Sequence, residues 1–329
     1  MPQTQRGFIA STNMKLLFTA DVHIKLGQKN VPVEWSLNRY NLLWQQLQTH
    51  QQLCDIFVVG GDVFDKLPSM QELEVFFDFV TSCVKPTYIY TGNHEMLKKD
   101  TSFLSNLKQV VNRVNNLVQI LDTCTTICDT IDVIPYNFIK TFDPDEFSNQ
   151  VLLTHVRGNI PPHVTSEVPL EKFQRWQTVL AGDLHSYENC QLNILYPGSP
   201  VTTSFHRNRV DTGVILFDTS THQHEWIQLE LPQLLKKTVS VGDPTPQTTY
   251  DHTIYEVEGN LSELAKLADN DLIDKKVAKK VSDAALILDS EMSLQQEVQE
   301  YLLYILELPE ATIQQVLQEL QNYESKLKD

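Results

Sequence analysis

Apolar residues along the chain fall into short continuous runs that alternate with longer segments of helical spacing. Five of the runs end in polar residues, in the segments KLLFTADVH, DIFVVGGDVFD, TYIYTGNHE, VLLTHV and TVLAGDLH. Because these runs are continuous and do not alternate, we expect strands that are buried on both faces of a sheet. The alternation of strands with helical segments predicts an α/β layer architecture.

Three helices are predicted between the first strands, over residues 34–53, 69–84 and 102–118. The second begins with Ser69 and has Glu72 three residues later, which is the pattern of a capping box. The third helix has one apolar face, formed by Leu104, Leu107, Val111 and Val114.

The pattern changes at about residue 236, beyond which short strands and one helical segment predict a small α+β domain. The linker is the Pro/Thr-rich stretch 242–251 or lies just before it. Near the end, Ser293 and Gln296 form a second capping box, and Pro309 lies near the start of a final helix. That helix has an apolar face formed by Ile313, Val316, Leu317 and Leu320. The face either packs on its own domain, which the periodicity favours, or docks a partner. The predicted organisation is a flexible leader (1–13), a large domain (14–235), a capping domain (236–290) and C-terminal helices (291–329).

Composition sets limits on the function. A formal net charge of −16 over 329 residues argues against nucleic-acid binding through bulk positive charge, unless bound cations or a basic partner supply it. The five cysteines are unevenly spaced, which favours reduced thiols that pack over a disulfide framework. No apolar run reaches ~18 residues and no signal peptide is visible, so we expect a soluble intracellular protein without a membrane span.

The ends of the five strands carry the candidate chemistry. In open α/β sheets, sites form at the carboxyl ends of the strands. A mixture of carboxylate, amide and imidazole ligands suits Mn²⁺, Fe²⁺ or Zn²⁺, and the set is too large for one ion, which points to the two-metal arrangement used on phosphate esters. A single histidine at a strand end, such as His155, more often only begins a polar loop. Five strands that all end in such residues favour a functional site. The residues are Asp21, His23, Asp62, Asn93, His94, His155, Asp183 and His185. The other histidines are interpreted as surface residues; they are His50, His163, His222, His224 and His252.

These segments resemble the calcineurin-like metallophosphoesterase superfamily, whose pattern is D-x-H, G-D-x-x-D, G-N-H-D/E, a lone His and G-H-x-H. The resemblance covers roughly residues 15–220. It implies a sandwich of β-sheets flanked by helices, here with the small α+β capping domain and the C-terminal helices. It also implies two divalent metal ions, with Mn²⁺ preferred and Mg²⁺ as the alternative.

Residues 195–218, LYPGSPVTTSFHRNRVDTGVILFD, are similar to a segment of SbcD-type DNA exonuclease subunits, which include a phage recombination nuclease subunit. This implies an exonuclease and endonuclease that hydrolyses phosphodiester bonds at DNA ends in recombination, repair or replication. It also implies a partner, an SbcC-type coiled-coil ATPase, and a homodimer within a heterotetramer in the cytoplasm. A phage-encoded protein that acts in its host's cytoplasm fits this scheme. In the family, helices in the region of 102–118 pair across a two-fold axis, whereas the simpler alternative is that they pack on the sheet.

The resemblance also implies roles for single residues. Asp62 bridges the two ions, and His94 is a catalytic residue beside the phosphate that is not a ligand. Asp183 departs from the family, because it stands where G-H-x-H has its first histidine; a carboxylate there favours a harder metal or weakens the second site. The ligands of the first ion are Asp21, His23 and His185. The remaining ligands of the second ion are Asn93, His155 and Asp183.

Three further residues have two possible roles each, and two alternative functions are compatible with the sequence. His206, Arg207 and Arg209 follow the YPGSP loop and either contact the DNA backbone or form local salt bridges. One alternative function is a phosphomonoesterase or cyclic-nucleotide phosphodiesterase of the same superfamily. The other is a non-catalytic scaffold subunit with a degenerate site, which only Asp183 supports.

Overall fold

A computed structural model describes residues 14–98, 101–259, 261–268, 270–277, 292–306 and 308–326. The chain divides into two compact units, one that runs to Val257 and includes 270–274, and one formed by 258–268 and the residues from 275 onward. The predicted leader 1–13 and the apolar run DAALILDS lie outside the described residues. The predicted domain boundaries remain predictions. Among the described helices, none has the length and apolar character that a membrane span requires.

The secondary structure follows the predicted alternation through the first unit. The strands among the described residues are β1 (Lys15–Thr19), β2 (Ile56–Val59), β3 (Thr87–Tyr90), β4 (Met96–Lys98), β5 (Thr101–Ser102), β6 (Val118–Leu121), β7 (Thr125–Ile127), β8 (Ile131–Ile134), β9 (Val151–His155), β10 (Thr178–Gly182), β11 (Ile194–Leu195), β12 (Gly213–Asp218), β13 (His224–Gln228), β14 (Leu234–Ser240), β15 (His252–Gly259) and β16 (Ile273–Val277). The α-helices are α1 (Val33–His50), α2 (Met70–Ser82), α3 (Phe103–Val114), α4 (Leu261–Leu264), α5 (Leu294–Glu300) and α6 (Glu310–Lys326).

Two sheets form the centre of the first unit. One has six strands in the order β13-β12-β1-β2-β3-β6, and the other has five in the order β11-β10-β9-β8-β7. Apolar residues such as Phe18, Val58, Leu153 and Leu180 pack in one cluster between them, and the Tyr90 hydroxyl donates to a backbone carbonyl of β9 at 2.8 Å. The predicted sandwich is therefore confirmed. The five strands with polar ends divide between the sheets, with β1, β2 and β3 in one and β9 and β10 in the other.

Helices α1, α2 and α3 cover the outer face of the six-stranded sheet, where residues of all three join one buried cluster. The capping box of Ser69 and Glu72 at the start of α2 is confirmed. On α3, Leu104 and Val111 are buried in that cluster, whereas Val114 is exposed. The apolar face of α3 therefore packs mainly on its own sheet, which was the simpler of the two alternatives.

His252 is buried, so the prediction that placed it on the surface was wrong. It is the first residue of β15, and its ring lies 5.4 Å from Trp35 and 5.9 Å from Phe205. Its Nε2 atom hydrogen-bonds with the carbonyl of Asn30. The burial of His252 was not visible in the sequence, because it depends on partners that are distant along the chain.

The second unit contains the C-terminal helices. The capping box of Ser293 and Gln296 at the start of α5 is confirmed, and α6 begins immediately after Pro309. On the predicted face of α6, Ile313 is fully buried whereas Val316 is 38 % exposed. The buried part of this face favours packing within the unit, as the periodicity indicated.

Candidate metal centre

The strand ends that carry the candidate ligands have strained backbone. Asp21, His23, Asp62 and Asp183 all have positive φ, between 48° and 105°, a region that residues with a side chain rarely adopt. Backbone hydrogen bonds fix these turns: Asp21 donates to the carbonyl of Gly61 at 3.1 Å and His23 to that of Asp62 at 2.9 Å. The Asp183 N–H donates to both carboxylate oxygens of Asp21 at 3.0 Å. Strain held in this way at clustered polar residues is typical of functional sites.

Glu95 ties two of these turns together and was missed by the sequence analysis. Its buried carboxylate accepts hydrogen bonds from the backbone N–H groups of Asp62, Phe64 and Gly92, at 2.9–3.1 Å. Burial, followed by the charge of Asp62, raises the pKa of Glu95 to about 7. Gly92 must be glycine here, since a Cβ atom would lie 2.2 Å from Oδ1 of Asp62. The signal was present in the sequence as the last residue of GNHE, but only Asn93 and His94 of that segment were interpreted.

The three predicted ligands of the first ion lie together. One ligand atom each of Asp21, His23 and His185 lies within 4.8 Å of the other two, and the Nε2 atoms of the two histidines are 3.1 Å apart. Burial is the main cause that raises the pKa of Asp21 well above its usual value and lowers the pKa of His23 to about 3. Without a cation, the site therefore favours the neutral forms of both side chains.

Asp62 lies between the two predicted ion positions. Its Oδ2 atom is 3.5 Å from Nε2 of His155 and 3.7 Å from Nε2 of His23. It forms one close group with His23 and His94 and another with Asp21 and His155. Burial tends to raise the pKa of Asp62, but the neighbouring histidines, His155 first, outweigh it and lower the pKa. This position suits a carboxylate shared between two ions.

His155 has a defined hydrogen-bonding role. Its Nδ1 donates to the carbonyl of Gly60 at 2.8 Å, because a carbonyl can only accept, and this directs Nε2 into the centre. There Nε2 lies 3.0 Å from Oδ1 of Asn93 and 3.5 Å from Asp62. Burial tends to lower the pKa of His155, but nearby carboxylates, Asp62 first, raise it to about 10. In the absence of a metal ion, a proton on Nε2 therefore supplies positive charge to the centre.

Asp183 has an ion-pair partner that the sequence did not reveal. Arg157 contacts both of its carboxylate oxygens, with Nε 3.1 Å from Oδ2 and Nη2 3.3 Å from Oδ1. The Oδ1 atom is also 4.0 Å from Nε2 of His155. Arg157 follows His155 by two residues, and its pairing depends on the parallel register of β9 and β10, in which Gly182 lies opposite His155.

His94 lies at the solvent edge of the centre. Its side chain is 37 % exposed, and its Nε2 atom is 3.9 Å from Oδ2 of Asp62. The Nδ1 atom lies 2.6 Å from the carbonyl of Asp65, so Nδ1 is the donor and Nε2 faces the centre. The ring meets that of His23 edge-on at 4.7 Å.

The donor set fits divalent metal ions. His23 Nδ1 is buried without a hydrogen-bond partner within the part of the chain that the structure describes, and the His23 and His185 Nε2 atoms face each other although neutral imidazoles cannot both donate there. Three carboxylates converge on the same small volume, and Asp21 and Asp62 are buried. Cations between these atoms would use the facing lone pairs and balance the carboxylate charge, as expected for mixed oxygen and nitrogen ligands.

Comparison with known proteins identifies the family. Residues 14–200 match the profile of the calcineurin-like phosphoesterase family. The chain belongs to this family. It is also 38 % identical over 320 residues to "Probable exonuclease subunit 1" of Escherichia phage T5, which covers 94 % of this chain and 98 % of that protein. The chain is therefore a phosphoesterase, and its donor cluster supports the binding of divalent metal ions.

More distant similarities are also found. The phosphoesterase is 24 % identical over 222 residues to "Putative phosphoesterase 244L" of Invertebrate iridescent virus 6, which covers 62 % of this chain and 76 % of that one. Among solved structures, it is similar to TT1561 of Thermus thermophilus, with a TM-score of 0.42, 13 % identity and coverage of 65 % of this chain and 98 % of the other. The hypothetical protein PH1004 of Pyrococcus horikoshii gives a TM-score of 0.35, 8 % identity and coverage of 66 % and 88 %.

The three residues predicted to contact DNA are held by local interactions in this phosphoesterase. Arg207 lies 3.6 Å from a carboxylate oxygen of Glu256, and Arg209 pairs with Asp251. The backbone of His206 donates to the carbonyl of Leu234 at 3.0 Å. Local salt bridges were the alternative interpretation of the two arginines, and the role of these residues in DNA binding remains a prediction.

Proposed function

We propose that this phosphoesterase is the nuclease subunit of a complex that hydrolyses phosphodiester bonds at DNA ends in recombination, repair or replication. The observation that carries the proposal is the convergence of two donor groups on one shared carboxylate, Asp62, since two ions flanking a shared ligand suit phosphodiester chemistry. The similarity to an exonuclease subunit along 94 % of the chain supports DNA as the substrate. Exonuclease and endonuclease activity are both proposed.

Two divalent ions would occupy the centre, with Mn²⁺ preferred and Mg²⁺ as the alternative. The mixture of imidazole with carboxylate and amide oxygen favours Mn²⁺, because Mg²⁺ prefers oxygen ligands. Asp62 would bridge the ions. The first ion would take Asp21, His23 and His185. The second would take Asn93, His155 and Asp183.

When bound, the ions would lower the pKa of a water molecule and neutralise charge on the phosphoryl oxygens. The protein's own contribution is orientation and proton transfer. His94 Nδ1 is held by the carbonyl of Asp65, so Nε2 is directed to the open side of the centre, where a leaving oxygen would lie. His94 is therefore proposed as the residue that protonates the leaving oxygen or stabilises its charge. Gly60 plays the equivalent orienting role for His155, as is common for metal-binding histidines.

The proposed partners are DNA, an SbcC-type coiled-coil ATPase and a second copy of the chain, acting in the cytoplasm. The C-terminal helices support docking of the ATPase, since Leu294 is 55 % and Leu306 48 % exposed. Because most of the apolar face of α3 packs on its own sheet, a homodimer is supported only by the outer side of this helix, where Val110 and Val114 are exposed. A subunit that works in an assembly agrees with the name of the phage T5 relative.

Duplex DNA labelled at one end, incubated with Mn²⁺ with and without the ATPase, tests the proposal. Release of mononucleotides by the wild type, abolished in Asp62→Asn, supports it. Hydrolysis of small phosphate esters without cleavage of DNA would indicate the phosphomonoesterase or cyclic-nucleotide phosphodiesterase instead. Binding of DNA or of the ATPase without turnover would indicate a scaffold subunit. The change Asp122→Asn is a matched control, because Asp122 forms a surface ion pair with Lys108, and such pairs contribute little to stability.

A further inference from the structure

The ion pair of Arg157 and Asp183 leaves one edge of the guanidinium group open. Arg157 uses Nε and Nη2 for the carboxylate, which is the side-on geometry of a bidentate pair. No hydrogen bond to Nη1 is found among the residues that the structure describes. Arginine has five N–H donors in a rigid fork, so the end-on edge, formed by Nη1 and the second N–H of Nη2, can bind a second anion in the same plane.

The two members of the pair differ in exposure. The side chain of Asp183 is 5 % exposed, whereas that of Arg157 is 45 % exposed. The carboxylate thus anchors the guanidinium from the inside of the centre, and the guanidinium faces outward. The guanidinium group of an arginine does not lose its proton in proteins, so this outward face stays charged.

The exposed guanidinium borders a cavity that opens beside the metal centre. The cavity has a volume of about 430 Å³, and its lining includes Arg157, Asp183, His185, Ile160 and His163. Because His185 is a proposed ligand of the first ion, the cavity reaches the centre itself. A phosphate group in the centre can therefore lie within reach of Arg157.

We propose that Arg157 binds a non-bridging oxygen of the substrate phosphate at the centre through its end-on edge, while Asp183 holds the guanidinium in place. The inference deepens the proposed function and rests on it, since it concerns the same site. It explains how a chain with a net charge of −16 presents fixed positive charge to an anionic substrate. In this arrangement Asp183 can serve the second ion and Arg157 together, because a carboxylate can accept several interactions.

The test compares Arg157→Gln with wild type by fluorescence anisotropy of a labelled duplex in metal-free buffer, between about 50 and 200 mM salt. We expect binding to weaken roughly 10- to 100-fold, the cost of a charge-assisted bidentate contact, and the salt slope to fall by about one. Arg157→Lys should keep the slope but bind less tightly than wild type, since an ammonium cannot present two edges. Arg175→Gln is the matched control: Arg175 is exposed and precedes the amino end of β10, opposite the end that carries Asp183. Unchanged affinity and salt slope in Arg157→Gln would overturn the inference.

A double variant separates phosphate binding from simple neutralisation of Asp183. If Arg157 only neutralised that carboxylate, Arg157→Gln/Asp183→His, which has the family's histidine, would recover wild-type affinity, and the inference would fail. If Arg157 binds phosphate, the double variant stays as weak as Arg157→Gln.

Kinetics on bis(p-nitrophenyl) phosphate, a small phosphodiester, keep this inference distinct from the proposed function. A wild type that hydrolyses this ester but not DNA contradicts the nuclease proposal, and a raised KM in Arg157→Gln would still support the contact. A wild type that cleaves DNA, with an unchanged KM for both substrates in Arg157→Gln, overturns the contact alone. A wild type that hydrolyses neither substrate contradicts the nuclease proposal, and the anisotropy comparison then decides the contact.

Discussion

The two halves of the metal centre differ in how their charge is balanced. The half formed by Asp21, His23 and His185 contains no cationic side chain among the described residues, and burial favours the neutral forms of Asp21 and His23. The half formed by Asn93, His155 and Asp183 already contains two positive groups, the Arg157 guanidinium and the protonated His155.

This difference indicates that the halves depend on metal ions to different degrees. In the first half, the Nε2 atoms of His23 and His185 can pair only if one donates to the other, and Nδ1 of His23 has no hydrogen-bond partner among the described residues. In the second half, a proton and an arginine already compensate the carboxylates. Binding at either half displaces a proton, from Asp21 or from His155, but only the second half keeps a fixed positive charge, that of Arg157. We therefore expect the first ion to bind more tightly than the second.

Asp62 is the one carboxylate common to both halves, so its loss should have the largest effect. Asp62→Asn removes the shared negative charge, and we expect hydrolysis to fall about 10³-fold or more, since each 1.4 kcal/mol of lost transition-state stabilisation is a factor of about ten. Calorimetry with Mn²⁺ should show weakened binding of both ions. Loss of one ion only would contradict the bridging position.

His94 tests whether the open edge of the centre contributes chemistry apart from the metals. Because its Nε2 atom faces the centre and is partly exposed, His94→Ala should lower kcat about 10²- to 10³-fold. Binding of Mn²⁺ should change little. Full activity would show that His94 has no catalytic part, and loss of metal binding would make it a ligand.

Substitution of Asp183 tests the difference between the halves directly, because this residue belongs to the half that contains the Arg157 guanidinium group. Asp183→Asn should lower the affinity for one ion about 10- to 100-fold, with little effect on the other. The asparagine keeps the backbone N–H that donates to Asp21, so the first half stays intact. Anomalous scattering from crystals soaked in Mn²⁺ gives the occupancy of each position. Equal loss at both positions would refute the separation of the halves.

The strand-end pattern predicted candidate ligands for both halves, whereas Arg157 was not predicted, for a physical reason. Strand ends carry their ligands by local pattern, and the turns after β1 and β2 place Asp21, His23 and Asp62 through backbone hydrogen bonds between neighbouring parallel strands. Such strands can be recognised in the sequence, because each is an apolar run that ends in polar residues, and the carboxyl ends of parallel strands lie together. The family resemblance then supplied the ligand sets.

The missing parts depend on packing between segments distant in the sequence. Nothing about Arg157 itself marks it as a partner of Asp183, since the pair forms only through the register of β9 with β10. The division of the five strands between two sheets was also not visible in the apolar runs, because a strand buried in either sheet has the same pattern. The burial of His252 against Trp35 is a third case.

The protonation of His155 gives the smallest and most specific prediction. Nε2 must lose its proton to bind a metal, and the pKa of His155 in the metal-free protein is about 10. Below that pH the proton competes with the ion, so the affinity of the second half should rise as the pH is raised, by up to about tenfold per unit. Calorimetry at pH 8 in two buffers of different ionisation enthalpy should show that the wild type releases about one proton more than His155→Ala upon Mn²⁺ binding, since any proton on Asp21 is released by both. His23 is already neutral at this pH, since its pKa is lowered to about 3, and should release none. Equal proton release by the wild type and His155→Ala would mean that His155 is neutral before the metal binds, and the proposed charge difference between the halves would then rest on Arg157 alone.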